Sequence, residues 1–270
     1  NFTLKINNQS NLIQFGNIYL DNWAAIDVNG EYSKVSEFLQ SQVTSDINMI
    51  NSNEYQLSSI CNHKGQLMAG FVLNKRSDSF RIILKKYLVS TFKDELMPFA
   101  KFHQVSFSDN LNKIIGIVSK PGKNSNNLLS NNDLEIGISM EKGSYDKNNE
   151  ISIDIWNTAN KILGNYELSQ EDIGKFRPLE INYDNFRTSF EKGCYRGQEI
   201  VARMKYLGVD RRLFCTIISQ IDFSEYKSIK LIGKKITVNN VCIFNAIIKR
   251  DDLEKIKHTD GIFKILLPTN

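Results

Sequence analysis

Cysteine, histidine and proline are scarce in this chain of 270 residues, and each scarcity excludes something. The four cysteines are Cys61, Cys194, Cys215 and Cys242, and no two lie within twenty residues of each other. The three histidines, His63, His103 and His258, are equally scattered. No CxxC or HxxxH pair exists, so no self-contained zinc, haem or iron–sulfur site is written into the chain. Four prolines and 15 glycines exclude collagen-like and Pro-rich low-complexity classes. No apolar run approaches the roughly 18 residues of a membrane helix. Residues 1–10 lack the basic and apolar regions of a signal peptide. Together these absences predict a soluble, cytoplasmic protein with free thiols and no membrane partner.

What is present suffices for a core: 41% of residues are hydrophobic and 10% aromatic. The length suggests one large domain or two smaller ones. The net charge is +4, from 34 basic and 30 acidic residues. Between Lys175 and Arg212 nine cations face five anions, and that excess equals the net charge of the whole chain. An anionic partner would meet this window. Its electrostatic footprint is weak and no RNA-binding motif accompanies it, so direct tRNA binding is not expected.

Apolar spacing predicts helices over 32–43, 86–99 (stopping near Pro98) and from Gly197 to Gly208, with a short one after Trp156 closing at Gly164. Strand-like runs fall at 55–60, 66–73, 79–85, 101–107, 113–119, 134–140 and 151–156, with a hairpin turn at 61–65 and a loop at 121–132. Residues 165–196 show no clear period. Beyond Arg211 the runs 213–218, 230–238, 241–248 and 261–267 read as a small β-barrel or sandwich. A boundary near 208 therefore separates an α+β region, 1–208, from a C-terminal β unit, 209–270.

The most informative stretch is Lys192-Gly193-Cys194-Tyr195-Arg196-Gly197-Gln198-Glu199. Its two glycines permit a tight turn and close backbone approach. The helix that follows points its N-terminus toward the turn. Lys192, Arg196 and that helix end would favour a thiolate at Cys194, while a buried structural cysteine is the alternative. Cys61, Cys215 and Cys242 sit in apolar strand-like runs and read as structural.

This octapeptide resembles the KGCYxGQE signature of the YgfZ family, folate-binding, tRNA-modifying relatives of the glycine-cleavage aminomethyltransferase. Further anchors follow in family order: Leu20-Asp21-Asn22-Trp23-Ala24, Leu39 to Asp46, Cys61 to Gly65, Pro178 to Asn182 and Glu199 to Arg203, then Lys205, Gly208 and Arg211-Arg212. Ser41 stands where the family usually has Gly, and Asn62 where it has Asp. The resemblance implies an aminomethyltransferase-like α+β fold with ferredoxin-like units, a folate pocket and a small C-terminal β-barrel. It implies tetrahydrofolate as cofactor and iron–sulfur client enzymes as partners, including the tRNA methylthiolation enzyme. Cys194 and Lys192 would be the working residues, within the motif of Gly193, Tyr195, Gly197, Gln198 and Glu199. Redox exchange, one-carbon or sulfur handling, and cluster ligation completed by another protein's thiolates all remain open for Cys194. Trp23 and Trp156, the only tryptophans, read as core residues alone. The resemblance places them among folate-contacting aromatics. The alternative is a true aminomethyltransferase, whose chemistry wants a carboxylate near the folate nitrogens, a place Asp46 could fill.

Overall fold

A computed structural model describes residues 12–208, 211–220, 222, 226–238 and 240–268, and the backbone alone at 5–6 and 10–11. Its elements are β1 (Lys5–Ile6), β2 (Ser10–Asn11), β3 (Gly16–Tyr19), β4 (Trp23–Asn29), α1 (Tyr32–Gln42), β5 (Tyr55–Cys61), β6 (Leu67–Lys75) and β7 (Phe80–Lys85). Then come α2 (Val89–Phe102), β8 (Ser106–Asn110), β9 (Ile115–Ser119), β10 (Asn127–Ser130), β11 (Glu135–Ser139), α3 (Ile153–Ile162), α4 (Tyr183–Phe186) and α5 (Gln198–Leu207). The chain continues with β12 (Arg212–Ser219), β13 (Ile229–Val238), β14 (Val241–Lys249), α6 (Leu253–Lys257) and β15 (Ile262–Leu266).

The first sheet is antiparallel, in the order β5-β6-β7-β4-β8. Its strands β8-β4-β7-β6, with α1 and α2 between them in sequence, carry the order of a ferredoxin-like unit, and β5 extends the edge. The two-residue side-chain period sends its apolar residues to opposite faces. Ile26, Val28, Phe71, Leu73, Ile82 and Leu84 meet α1 and α2, while Ala25, Val72 and Ile83 meet a second core. That second core joins sheet β10-β11-β9-β3 and α3 through Val118, Ile136, Ile138, Trp156 and Ala159. The sheet is thus buried on both sides, which explains its nearly continuous hydrophobic runs.

Four sequence expectations change. Helix α2 runs through Pro98 to Phe102, because Leu96 and Ala100 on either side of the proline are buried against the sheet. Residues 101–107 are accordingly not one strand, and β8 begins at Ser106. The strand expected at 151–156 is the start of α3, where Ser152 Oγ accepts from the Ile155 amide as N-cap. The loop at 121–132 contains β10.

The C-terminal strands form an antiparallel sheet ordered β13-β14-β12-β15. Among the described residues its edges β13 and β15 do not pair, so strand pairing leaves it open. It is joined to the rest of the chain by a shared cluster in which Phe214, Ile232 and Ile247 pack with Tyr166, Leu168, Tyr183 and Val201. No helix among the described residues is long and apolar enough to cross a membrane.

Candidate functional site

Two motifs far apart in sequence meet back to back. Gly197 is the N-cap of α5 with φ +83°, a left-handed conformation that glycine adopts without penalty. A Cβ there would lie 2.4 Å from the Asn62 carbonyl oxygen and 2.9 Å from the Gly65 Cα. Gly65, also left-handed at φ +70°, would in turn press a Cβ against the Gly197 carbonyl and Val201. The β5–β6 turn and the start of α5 therefore form a joint that only a glycine pair allows. Asn62 shapes the turn: its Oδ1 accepts from the amides of Lys64 and Gln66, the work an aspartate would do. Gly193 differs, since a Cβ there meets nothing among the described residues within 4 Å.

Gln198 braces the rest of the octapeptide. Its Oε1 accepts from the Tyr195 amide at 3.3 Å and its Nε2 donates to the Lys192 carbonyl at 3.4 Å. The preceding residues are stitched to the end of α1. Ser189 N donates to Thr44 O, Thr44 Oγ1 donates to Arg187 O, and Lys192 Nζ donates to the carbonyls of Val43 and Ser45 at 2.7 and 2.9 Å. Tyr195 is buried, its hydroxyl has no partner among the described residues, and burial pushes its phenol up. Glu199 is exposed and pairs with Arg203 one turn on.

The result is an exposed thiol on a fixed loop. Of the four cysteines only Cys194 is exposed. It opens onto a cleft lined by His63, Arg196, Gln198 and Ile200. Burial pushes Cys61 and Cys215 up to about 12 and raises Cys242, so those three are held as thiols. The two cations expected beside Cys194 have other partners. Lys192 is committed to the two carbonyls above, and Arg196 pairs with Glu95 at 2.6 Å and lies over Phe99. A buried ammonium needs acceptors more than an exposed thiol needs a cation. Lys192 therefore anchors the loop rather than hydrogen-bonding the sulfur, and its burial pulls its ammonium down to about 8.

The tryptophans lie in the core between the first two sheets. Trp156 is 1% exposed and its ring fills the space over Gly116, where a Cβ would approach to 2.9 Å. Trp23 is 8% exposed, with Lys85 Nζ 5.0 Å over its ring. Among the described residues neither indole nitrogen has a hydrogen-bond partner. Neither ring lines the nearby cavity of about 330 Å³, whose wall comes from Asn22, Lys85, Tyr87, α3, residues 165–167 and 169–171, and the C-terminal sheet. Lys85, which does line it, pairs with Glu167 at 2.7 Å, and among the described residues Glu167 Oε1 is buried without a hydrogen-bond partner. Lys161, Glu167 and Lys85 carried no signal in the sequence, because no motif or spacing links them. His63 could have been read from its place in the 61–65 turn.

Asp46 does not line this cavity. Its Oδ1 accepts from the Asn48 amide and Gln40 Nε2, capping the turn after α1. Part of the basic window is taken up within the fold. Arg187 and Lys192 are buried on neutral carbonyl and amide oxygens, and Lys175, Arg196, Arg203 and Lys205 pair with Asp172, Glu95, Glu199 and Asp184. Among the described residues no cluster of three or more His, Cys, Asp or Glu could hold a metal ion.

No protein-family profile matches the chain. An uncharacterized protein of Haemophilus influenzae is 33% identical over 199 residues, spanning 72% of this chain and 70% of that protein. The tRNA-modifying protein YgfZ of Colwellia psychrerythraea is 27% identical over 254 residues, spanning 82% of this chain and 77% of its own. That of Aliivibrio fischeri is 26% identical over 235 residues, spanning 78% and 73%. The crystal structure of glycine cleavage system aminomethyltransferase T from Bartonella henselae shares the fold, with a TM-score of 0.60 at 10% identity over 88% of this chain and 79% of that one.

Proposed function

The chain belongs to the YgfZ family, whose named members are tRNA-modifying proteins, and from that premise we propose that it is a tetrahydrofolate-binding accessory protein for the assembly or repair of iron–sulfur enzymes, including the one that methylthiolates tRNA. The observation that carries this reading is the exposed Cys194, held by the glycine joint on the octapeptide that marks the family. A thiol meant only for packing would be buried like the other three. Its place is the cytoplasm, where a reducing pool keeps such a thiol free.

Folate is assigned to the cavity beside Lys85 and Lys161. About 330 Å³ falls within the usual range for a small-molecule site. The unpartnered Glu167 Oε1 suits the N–H groups of a pterin edge. Tetrahydrofolate, when bound, supplies a carrier for one-carbon units. The chain's own residues bind and orient it: Glu167 accepts from the ring, Lys85 holds Glu167 in place, and Trp23 senses the ligand through Lys85 rather than by direct stacking. Asp46, committed to its turn, supports the accessory role over an aminomethyltransferase.

The test uses a bacterial strain lacking its own YgfZ protein, with methylthiolated tRNA nucleosides quantified by mass spectrometry. The wild-type chain should restore them and Cys194→Ala should not, at equal protein level. Full restoration by Cys194→Ala would overturn the role given to the thiol. Calorimetric titration with tetrahydrofolate tests the ligand separately.

A further inference from the structure

We propose that Lys161 is a nucleophilic amine that condenses reversibly with a small uncharged aldehyde inside the central cavity. The inference goes beyond the folate reading and does not depend on it. Lys161 lies on α3, is 8% exposed, and lines the cavity. Among the described residues its Nζ has a single hydrogen-bond partner, Asn245 Oδ1, at 3.1 Å. That amide is fixed in turn: Asn245 Nδ2 donates to Thr216 Oγ1, which donates to the Lys161 carbonyl. The amine thus has one hydrogen-bonding acceptor, a neutral one; the Glu167 carboxylate across the cavity acts on it through space and partly offsets the effect of burial.

Lys192 supplies the internal contrast. Burial draws both ammonium groups down to about 8 from the ordinary 10.5. Lys192, however, is tied to two carbonyls and lines no cavity described above, whereas Lys161 faces open volume. A desolvated lysine with a lowered pKa facing a cavity is the usual setting for carbonyl condensation. The groups facing the cavity set the ligand's charge. With Lys161 as the neutral amine, Lys85 and Lys234 balance Glu167 and Glu171, while Tyr87 and Tyr166 remain neutral, their phenols raised by burial. A carbonyl compound with a charge beside its reacting carbon would leave that balance uncompensated at the amine.

The step balances without a redox partner. The amine lone pair attacks the carbonyl carbon, forming the C–N bond as the C=O π pair moves to oxygen. One proton passes from nitrogen to that oxygen, giving a carbinolamine. Loss of water then gives the imine, and hydrolysis restores amine and aldehyde.

The test is trace deuterated formaldehyde with cyanoborohydride on the full chain, whose hydride converts the imine to a methylamine read by peptide mass spectrometry from pH 6.5 to 9. Lys161 should be labelled at least tenfold faster than Lys192 or the exposed Lys175 at pH 7.5, with a rate midpoint near pH 8. Asn245→Asp, which sets a carboxylate on the amine, should slow Lys161 at least tenfold. The wild-type profile decides alone if that variant does not fold. Labelling of Lys161 no faster than Lys192, or without a midpoint below 9, would overturn the proposal. Because no folate is used, this failure is separate from a failure to bind folate.

Discussion

Cys61 and Cys215 are pushed up to about 12 by burial, whereas Cys194 stands in solvent. Alkylation with iodoacetamide at pH 7.5 is therefore expected to modify Cys194 at least tenfold faster than either, as read by peptide mass spectrometry. Equal rates would mean the loop shields the thiol. The two glycines of the octapeptide should separate as cleanly. Gly197→Ala forces a Cβ into the Asn62 carbonyl at positive φ, and a left-handed non-glycine residue alone costs about 1–2 kcal/mol. With the backbone clash added, about 2–4 kcal/mol is expected in urea denaturation. Gly193→Ala meets open space and should stay within about 0.5 kcal/mol. Lys161 makes stability depend on pH. Its folded pKa, about 8, is below the ordinary 10.5 of the unfolded chain, so the unfolded state binds more protons between those values. Stability must then rise with pH across that window, the penalty being full below pH 8. Denaturation at pH 8 and 9.5 should show the wild type gaining about 1–2 kcal/mol relative to Lys161→Met.

At the scale of elements, the packing of α3 on the second sheet turns on Trp156 over Gly116. A buried tryptophan removes roughly 150–250 Å² from water, on the order of 4–6 kcal/mol at 25 cal per Å². Trp23 belongs to the same core. Trp23→Ala is expected to cost about 3–5 kcal/mol, visible as a lower denaturation midpoint. Trp23→Phe should keep most of that stability while removing the fluorescence signal expected on folate binding. If Trp23→Ala lowered affinity without loss of stability, the ring would be a ligand platform and not core. Helix α2 teaches a related point: its passage through Pro98 is decided by the burial of Leu96 and Ala100, a contribution that local propensity does not contain.

For the whole molecule, the cluster joining Phe214, Ile232 and Ile247 to Tyr166, Tyr183 and Val201 binds the C-terminal sheet to the α+β region. The buried Lys161–Asn245–Thr216 chain adds to it. Calorimetry should therefore record one cooperative transition. Two transitions, or an unchanged melting temperature in a chain ending at 208, would show that the C-terminal sheet is an independent domain.

Elements whose pattern is local were legible in the residues alone: α1 from its helical spacing, the β5–β6 hairpin from Asn62 and Gly65, α5 between Gly197 and Gly208, and four C-terminal strands. The octapeptide and its cysteine were legible in the same way, because identity at fixed spacing needs no third dimension. Tertiary structure alone decided the rest. It turned Lys192 into an anchor, since its acceptors at Val43 and Ser45 lie about 150 residues away in the chain. It buried both tryptophans, since a residue's exposure depends on which sheets close over it. It made a cavity from Lys85, Lys161, Glu167 and Asn245, drawn from four separate segments. Charges and hydrogen bonds act through space, and no spacing along the chain records which distant groups the fold will bring within reach.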